Sequence, residues 1–337
     1  FFSSRRRHTR FLPVSWAREM CIRDRITTAM EADVQKILMA IKDRGSLEYC
    51  DMSVEEARET HESQSGLLGV DYVDLPSVTD IILPGRHGDI PARLYKPDKN
   101  INACLIYYHG GGHVIGSLNS YDTLCRQLAL QSNCMVASID YRLAPEHRFP
   151  VAVDDALDAY IWFCGCGHEL GISNDSLILG GDSAGGNLAA VVAIMARDLG
   201  YPRALGQLLI YPATAGYPDS ASHLKFAEDH VLTRRLILWF QEKYLDRKDH
   251  TDFRWAPLLC DDLSMLPPAT IILAECDPLR DEGLSYAVRL AESGNELTLK
   301  VYSGVTHPFF SWSGTVKKSR EAVSFAAKQL TKLVLDN

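Results

Sequence analysis

One serine stands where it could act as a nucleophile. Ser183, in the run Gly181-Asp182-Ser183-Ala184-Gly185, follows the apolar stretch Ser176 to Gly180 and opens the helical run Ala184 to Leu199. A strand that turns sharply into a helix lifts a hydroxyl to the edge of a sheet. Small residues two before and two after the serine are what such a turn needs, because larger side chains would collide with the neighbouring strand and helix. The five-residue pattern alone occurs by chance in many chains; strand, turn and helix together make it specific. A glycine-rich helix start that binds phosphate is the alternative reading of the same residues.

A serine hydroxyl needs a base beside it, and the base needs an orienting carboxylate. On an elbow of this kind both follow the serine in chain order, each after a later strand. Asp277 comes immediately after the apolar run Thr270 to Ala274, and His307 comes after Leu297 to Tyr302. Asp281 and Glu282, a turn into the next helix, read instead as a helix-dipole or salt-bridging pair. Of 11 histidines, only His307 stands after the last strand, and the others read as exposed or loop residues. Attack on a carbonyl also needs donors for the oxyanion that forms. His109-Gly110-Gly111-Gly112 directly follows the strand ending at Tyr108. The amides of Gly111, Gly112 and Ala184 are the expected donors, with Gly110 supplying the turn and His109 supporting the loop. Three donors instead of two suit esters of tertiary or otherwise awkward alcohols.

These residues need a scaffold that brings strand ends together. Val78 to Leu83 and Ile90 to Tyr95 read as an opening antiparallel pair joined by Pro84-Gly85-Arg86-His87-Gly88. After them, strands and helices alternate, which predicts a mainly parallel sheet with helices on both faces. Cys104 to Tyr108, Cys134 to Ala137, Leu177 to Leu179, Gln207 to Ile210 and Thr270 to Leu273 are continuous apolar runs, as in strands buried on both sides. Before the sheet, Ile26 to Ile41 has helical spacing and stops at Lys42-Asp43-Arg44-Gly45, and Ser53 with Glu56 forms a capping box for a second helix. Between Tyr211 and about Pro257 the alternation lapses into an amphipathic helical insertion with Trp239, Phe240 and Tyr244 near its middle. It would lie over the carboxyl ends of the strands, where open α/β sheets place their ligands. The expected organisation is one catalytic domain over 26–337, with a cap from about 26–65 and 213–257.

Two further runs complete the pattern: Asp140-Tyr141-Arg142-Leu143-Ala144-Pro145-Glu146 followed by Phe149-Pro150, and Asp277-Pro278-Leu279-Arg280-Asp281-Glu282-Gly283. With them, from about Val78 to the C-terminus, the chain resembles the hormone-sensitive lipase family of α/β hydrolases, the bacterial group IV esterases. The resemblance implies an eight-stranded sheet, a helical cap, no cofactor and hydrolysis of short to medium acyl esters. It places the family's serine, aspartate and histidine on Ser183, Asp277 and His307. Arg142 and Glu146 are expected to pair under the active-site loop, where an unpaired charge would be costly. The chain departs from the family at two points. Pro308 stands where a glycine is usual and pushes His307 toward extended backbone, and His113 replaces a large aromatic after the three glycines, making the acyl pocket more polar or altering its shape. Resemblance also suggests a homodimer along the last strand.

Bulk properties agree with a small-molecule enzyme. The 337 residues carry a formal charge of −8 without a long basic stripe in the body of the chain, which argues against nucleic acid as a partner. No stretch reaches the ~18 apolar residues of a membrane span. The nine cysteines lack paired spacing, and Cys164-Gly165-Cys166 has no second pair to complete a zinc site, so no metal is expected. Phe1 to Arg25 holds seven arginines and no secretory apolar core. It reads as a non-native or disordered extension, and a cytoplasmic location is the expectation. A receptor on the same fold is the rival class; plant hormone receptors of this lineage lack a working histidine, whereas His307 is present. Haloalkane dehalogenases and epoxide hydrolases need an aspartate at the elbow, where this chain has Ser183.

Overall fold

A computed structural model describes residues 30–43, 48–69, 72–98 and 103–336. The extension over 1–25 and the first turn of the helix predicted from Ile26 lie outside the described residues.

Eight strands form one sheet in the order β1-β2-β4-β3-β5-β6-β7-β8. They are β1 (Ser77–Leu83), β2 (Ile90–Lys96), β3 (Cys104–Tyr108), β4 (Met135–Ile139), β5 (Leu177–Asp182), β6 (Gly206–Ile210), β7 (Ala269–Cys276) and β8 (Leu297–Thr306). β2 runs antiparallel to both β1 and β4, and every pairing from β4 through β3 to β8 is parallel. The reason is legible in the residues: β3 to β7 are buried along their whole length, as strands covered on both faces must be. β8, at the sheet edge, is only partly buried until its last residues.

Helices cover this sheet. α1 (Ala32–Asp43) and α2 (Val54–Ser65) precede it, and Ser53 and Glu56 close the predicted capping box at the start of α2. α3 (Asp122–Ser132), α4 (Val151–Cys166) and α5 (Ala184–Asp198) follow β3, β4 and β5 in turn. α5 lies along β5 and β6 with α4 beside it, while α9 (Lys317–Leu335) lies against β6 to β8 with α3 beside it. α8 (Arg280–Glu292) packs on β7 and β8. No helix among the described residues is long and apolar enough to cross a membrane.

The insertion after β6 is less helical than its amphipathic pattern predicts. Only α6 (Ala221–Lys225) and α7 (Arg234–Tyr244) are α-helical, with short 3₁₀ turns at Arg247–Thr251 and Pro257–Leu259. Ser220 and Thr233 cap α6 and α7 by accepting the amides of His223 and Leu236, so each helix starts afresh after irregular backbone. Buried polar contacts tether the insertion to the sheet domain. Asn187 of α5 donates to the carbonyls of Ala213 and Trp255 at 2.8 and 2.6 Å, and the buried His223 and Glu282 side chains meet at 3.1 Å. His223 is thus a buried helix residue, not the exposed or loop histidine predicted, because Glu282 and Ser220 Oγ engage both of its ring nitrogens.

Candidate active site

Ser183 sits at the end of β5 with φ 54° and ψ −118°, a conformation that L-residues rarely adopt. The flanking glycines allow it. A Cβ on Gly181 would overlap Gly185 and the Tyr108 carbonyl, and one on Gly185 would overlap that same carbonyl. The elbow is therefore pressed against the end of β3, which explains why the small residues of the motif must be small.

His307 immediately follows β8, and its Nε2 lies 3.0 Å from Ser183 Oγ. Its Nδ1 lies 2.8 Å from Oδ2 of Asp277, which follows β7. The other Asp277 oxygen accepts the amide of Leu279 at 2.8 Å, so this fully buried carboxylate is held at both oxygens. The Tyr211 ring packs on the His307 ring at 4.4 Å. The three predicted residues come together from the ends of three parallel strands, and Pro308, joined to His307 by a cis peptide, leaves the histidine in contact with both partners.

The glycine loop turns at Gly111 and Gly112, not at Gly110 as expected. Gly111 and Gly112 have φ of 110° and 61°, and His113 continues the left-handed run at 62°. The Gly111 carbonyl accepts the amides of Val114 and Ile115, both at 3.0 Å, which closes the turn. A Cβ on Gly112 would run into the ring of Phe240, so α7 rests directly on this loop. His109 is fully buried, stacked on Tyr141 at 4.4 Å, and burial pushes its imidazole down to about 4.

One residue that the motif reading passes over anchors this loop. Asp182 is 2% exposed, and its Oδ1 accepts the Gly110 amide at 2.9 Å and the Tyr107 hydroxyl at 2.8 Å. Its Oδ2 accepts the Tyr121 hydroxyl at 3.0 Å. Burial holds this carboxyl above the ordinary range, against the opposing pull of the two tyrosine hydroxyls. A carboxylate at the end of an apolar strand is the signal for such an anchor, since burial without partners would be costly.

The expected pairing of Arg142 with Glu146 does not occur. Arg142 binds Asp155, on α4, through its Nη1 at 2.5 Å and its backbone amide at 3.0 Å. Glu146 instead takes Arg58 of α2 at 2.7 and 2.8 Å. Asp155 is fully buried and needs a cation, whereas Glu146 lies near the surface, within reach of α2.

The site opens into a cavity of about 180 Å³ over the carboxyl ends of the strands. Ser183, His307, Gly111 and Gly112 line it from the sheet side, and Tyr49, His61, Leu232 and Phe240 line it from the N-terminal segment and the insertion. His113 is 1% exposed and stacks on Tyr244 at 4.2 Å, so the extra polarity expected of it is enclosed in aromatic surroundings.

A strained serine on a strand-to-helix elbow, backed by a histidine and a carboxylate from later strand ends, defines the α/β-hydrolase class. Sequence comparison agrees: a profile described as the alpha/beta hydrolase fold matches residues 105–311. The chain is 37% identical to ethyl acetate hydrolase of Pseudomonas putida over 83% of its length and 90% of that protein's. It is 41% identical to the carboxylic ester hydrolase LipN of Mycobacterium tuberculosis, over 76% of this chain and 71% of LipN. Among solved structures, the hyperthermophilic esterase of Pyrobaculum calidifontis is 40% identical and superposes with a TM-score of 0.86, covering 91% of this chain and 100% of that one. The chain belongs to the α/β-hydrolase fold family, among its hormone-sensitive-lipase-like esterases.

Proposed function

We propose that this carboxylic-ester hydrolase cleaves short- to medium-chain acyl esters with Ser183 as nucleophile, His307 as base and Asp277 as its orienting carboxylate. The observation that carries the reading is the hydrogen-bonded line from Asp277 through His307 to Ser183, at 2.8 and 3.0 Å. His307 Nε2 takes the hydroxyl proton as Ser183 Oγ attacks the ester carbonyl. The amides of Gly111, Gly112 and Ala184 hold the resulting oxyanion; Gly110, fixed by Asp182, and His109 keep the loop in shape. Collapse expels the alcohol, protonated by His307, and leaves an acyl-enzyme. Water activated by the same histidine then releases the acid and restores Ser183.

The segments over about 26–65 and 213–257 serve as a cap, and the remainder of the described chain as its catalytic body. A cavity of about 180 Å³ favours small esters, since pockets for drug-sized ligands start at about 300 Å³. Two copies would pair along β8, which lies at the sheet edge; sedimentation at micromolar concentration distinguishes that dimer from a monomer. The catalytic assignment is tested with Ser183→Ala, which keeps the fold by circular dichroism while abolishing burst release of p-nitrophenol from p-nitrophenyl butyrate. A variant retaining most of that activity contradicts it.

A further inference from the structure

The cavity wall toward α7 contains polar groups without a hydrogen-bond partner among the described residues. Gln241 of α7 lines the cavity at 8% exposure, and its side-chain amide has no hydrogen-bond partner among the described residues. His113 lines the same cavity, and both its ring nitrogens are buried without a partner among the described residues. The His113 ring stacks on Tyr244, which stands three residues after Gln241 on α7 and so shares its helix face. Trp255, 5.9 Å from the His113 ring, and Phe240 also line the cavity, with Leu236 and Ile237 of α7.

Burial pushes His113 down to about 3, so its imidazole is neutral and offers one N–H donor and one acceptor. The Gln241 amide offers both functions as well. Unmet donors and acceptors in an apolar, water-poor wall destabilise the empty protein and become an advantage when a ligand meets them.

The ester-hydrolase reading, on which this inference rests, fixes which part of a substrate reaches them. The alcohol oxygen must lie against His307 Nε2 to be protonated, and Pro308 and Ser311, next along the chain, line that end of the cavity. His113 instead continues from the glycine loop toward α7, on the side left for the acyl chain. We propose that Gln241, backed by His113, binds a hydroxyl group on the acyl chain. The enzyme thereby selects short hydroxyacyl esters over their alkyl isosteres.

The test compares p-nitrophenyl 3-hydroxybutyrate with p-nitrophenyl 3-methylbutyrate, which exchanges the hydroxyl for a methyl of similar size. Each kcat/KM is divided by that ester's rate with hydroxide, which removes intrinsic reactivity. The corrected ratio favours the hydroxyl by about tenfold in the unsubstituted enzyme, the scale of the net contribution of one hydrogen bond. It falls toward one in Gln241→Leu and in His113→Phe, with Gln241→Met as a second variant if the leucine disturbs α7. A corrected ratio of one or less in the unsubstituted enzyme overturns the proposal whether or not the variants fold, as does a preference that survives the substitutions. A preference shown only by esters hydroxylated on the alcohol, such as 2-hydroxypropyl against isobutyl butyrate, overturns the acyl-side assignment. If the unsubstituted enzyme turns over no ester at all, the hydrolase reading fails, and this inference with it.

Discussion

On the sheet side of the cavity, Asp182 and Asp277 each have both carboxylate oxygens bonded, and His307 has both nitrogens engaged. Toward α7, His113 has neither nitrogen bonded and Gln241 presents an unengaged amide among the described residues, and both line the cavity. The contrast separates two tasks. Groups that move a proton or position an oxyanion must be held before substrate arrives, because reorganising them during the reaction would raise the barrier. Groups that choose among substrates are useful when unpaired, since the right ligand then supplies what is missing.

Substitutions on the two sides should therefore differ in kind. His307→Ala has the largest effect, a loss of about 10⁵-fold in kcat, because nucleophile and base act as a unit. Asp277→Asn follows, with kcat reduced by about 10⁴-fold as the imidazole loses its orientation and the partner that stabilises its cation. Steady-state kinetics on p-nitrophenyl butyrate measures both. Asp182→Asn tests whether the glycine loop is set from beneath. It should lower kcat by about 10²-fold with little change in KM, the cost of misplacing one oxyanion donor. An equal change in KM would make Asp182 a substrate-binding residue instead.

On the other wall the effects are smaller and of another type. Phe240→Ala removes the ring that rests on Gly112, and should raise KM for butyrate about fivefold while shifting preference toward longer acyl chains, read from an acetate to octanoate series. The smallest effect concerns stability in acid. His113 is buried neutral with its pKa pushed down to about 3, so the unfolded chain takes a proton near 6.5 that the folded chain refuses. This contribution is fully present above pH 6.5 and is lost as pH falls toward 3. His113→Phe should flatten the decline in unfolding free energy between pH 7 and pH 5 by about 2 kcal/mol, measured by urea titration at each pH.

The same contrast governs what is legible in the chain. Ser183, Asp277 and His307 each hang from the end of an apolar strand, so the alternation of strands and helices locates them without any tertiary information. The glycines at 111 and 112 are legible because a loop with positive φ needs them there, whereas Gly110 must be small because a Cβ would meet the Asp182 carboxylate and the Tyr121 hydroxyl. Asp182 is harder to see, since it fills a variable position of the elbow motif and its partners Tyr107 and Tyr121 lie 75 and 61 residues away. The same distance problem hides the partners of Arg142 and Glu146, since Arg58 precedes Glu146 by 88 residues. In the insertion, apolar spacing announces α7 but not the irregular backbone around it. That backbone is held by Asn187 and Glu282 from outside the segment. Gln241 has no sequence signal, because an unpaired glutamine on an amphipathic helix looks like any surface residue.

The central claim is that Ser183 is the nucleophile this scaffold activates. Stoichiometric labelling with a fluorophosphonate, followed by peptide mass mapping, tests it most directly. One phosphonyl group on Ser183, with activity lost in proportion to labelling, is the predicted result. Label confined to another residue, or full activity after Ser183 is occupied, would contradict it.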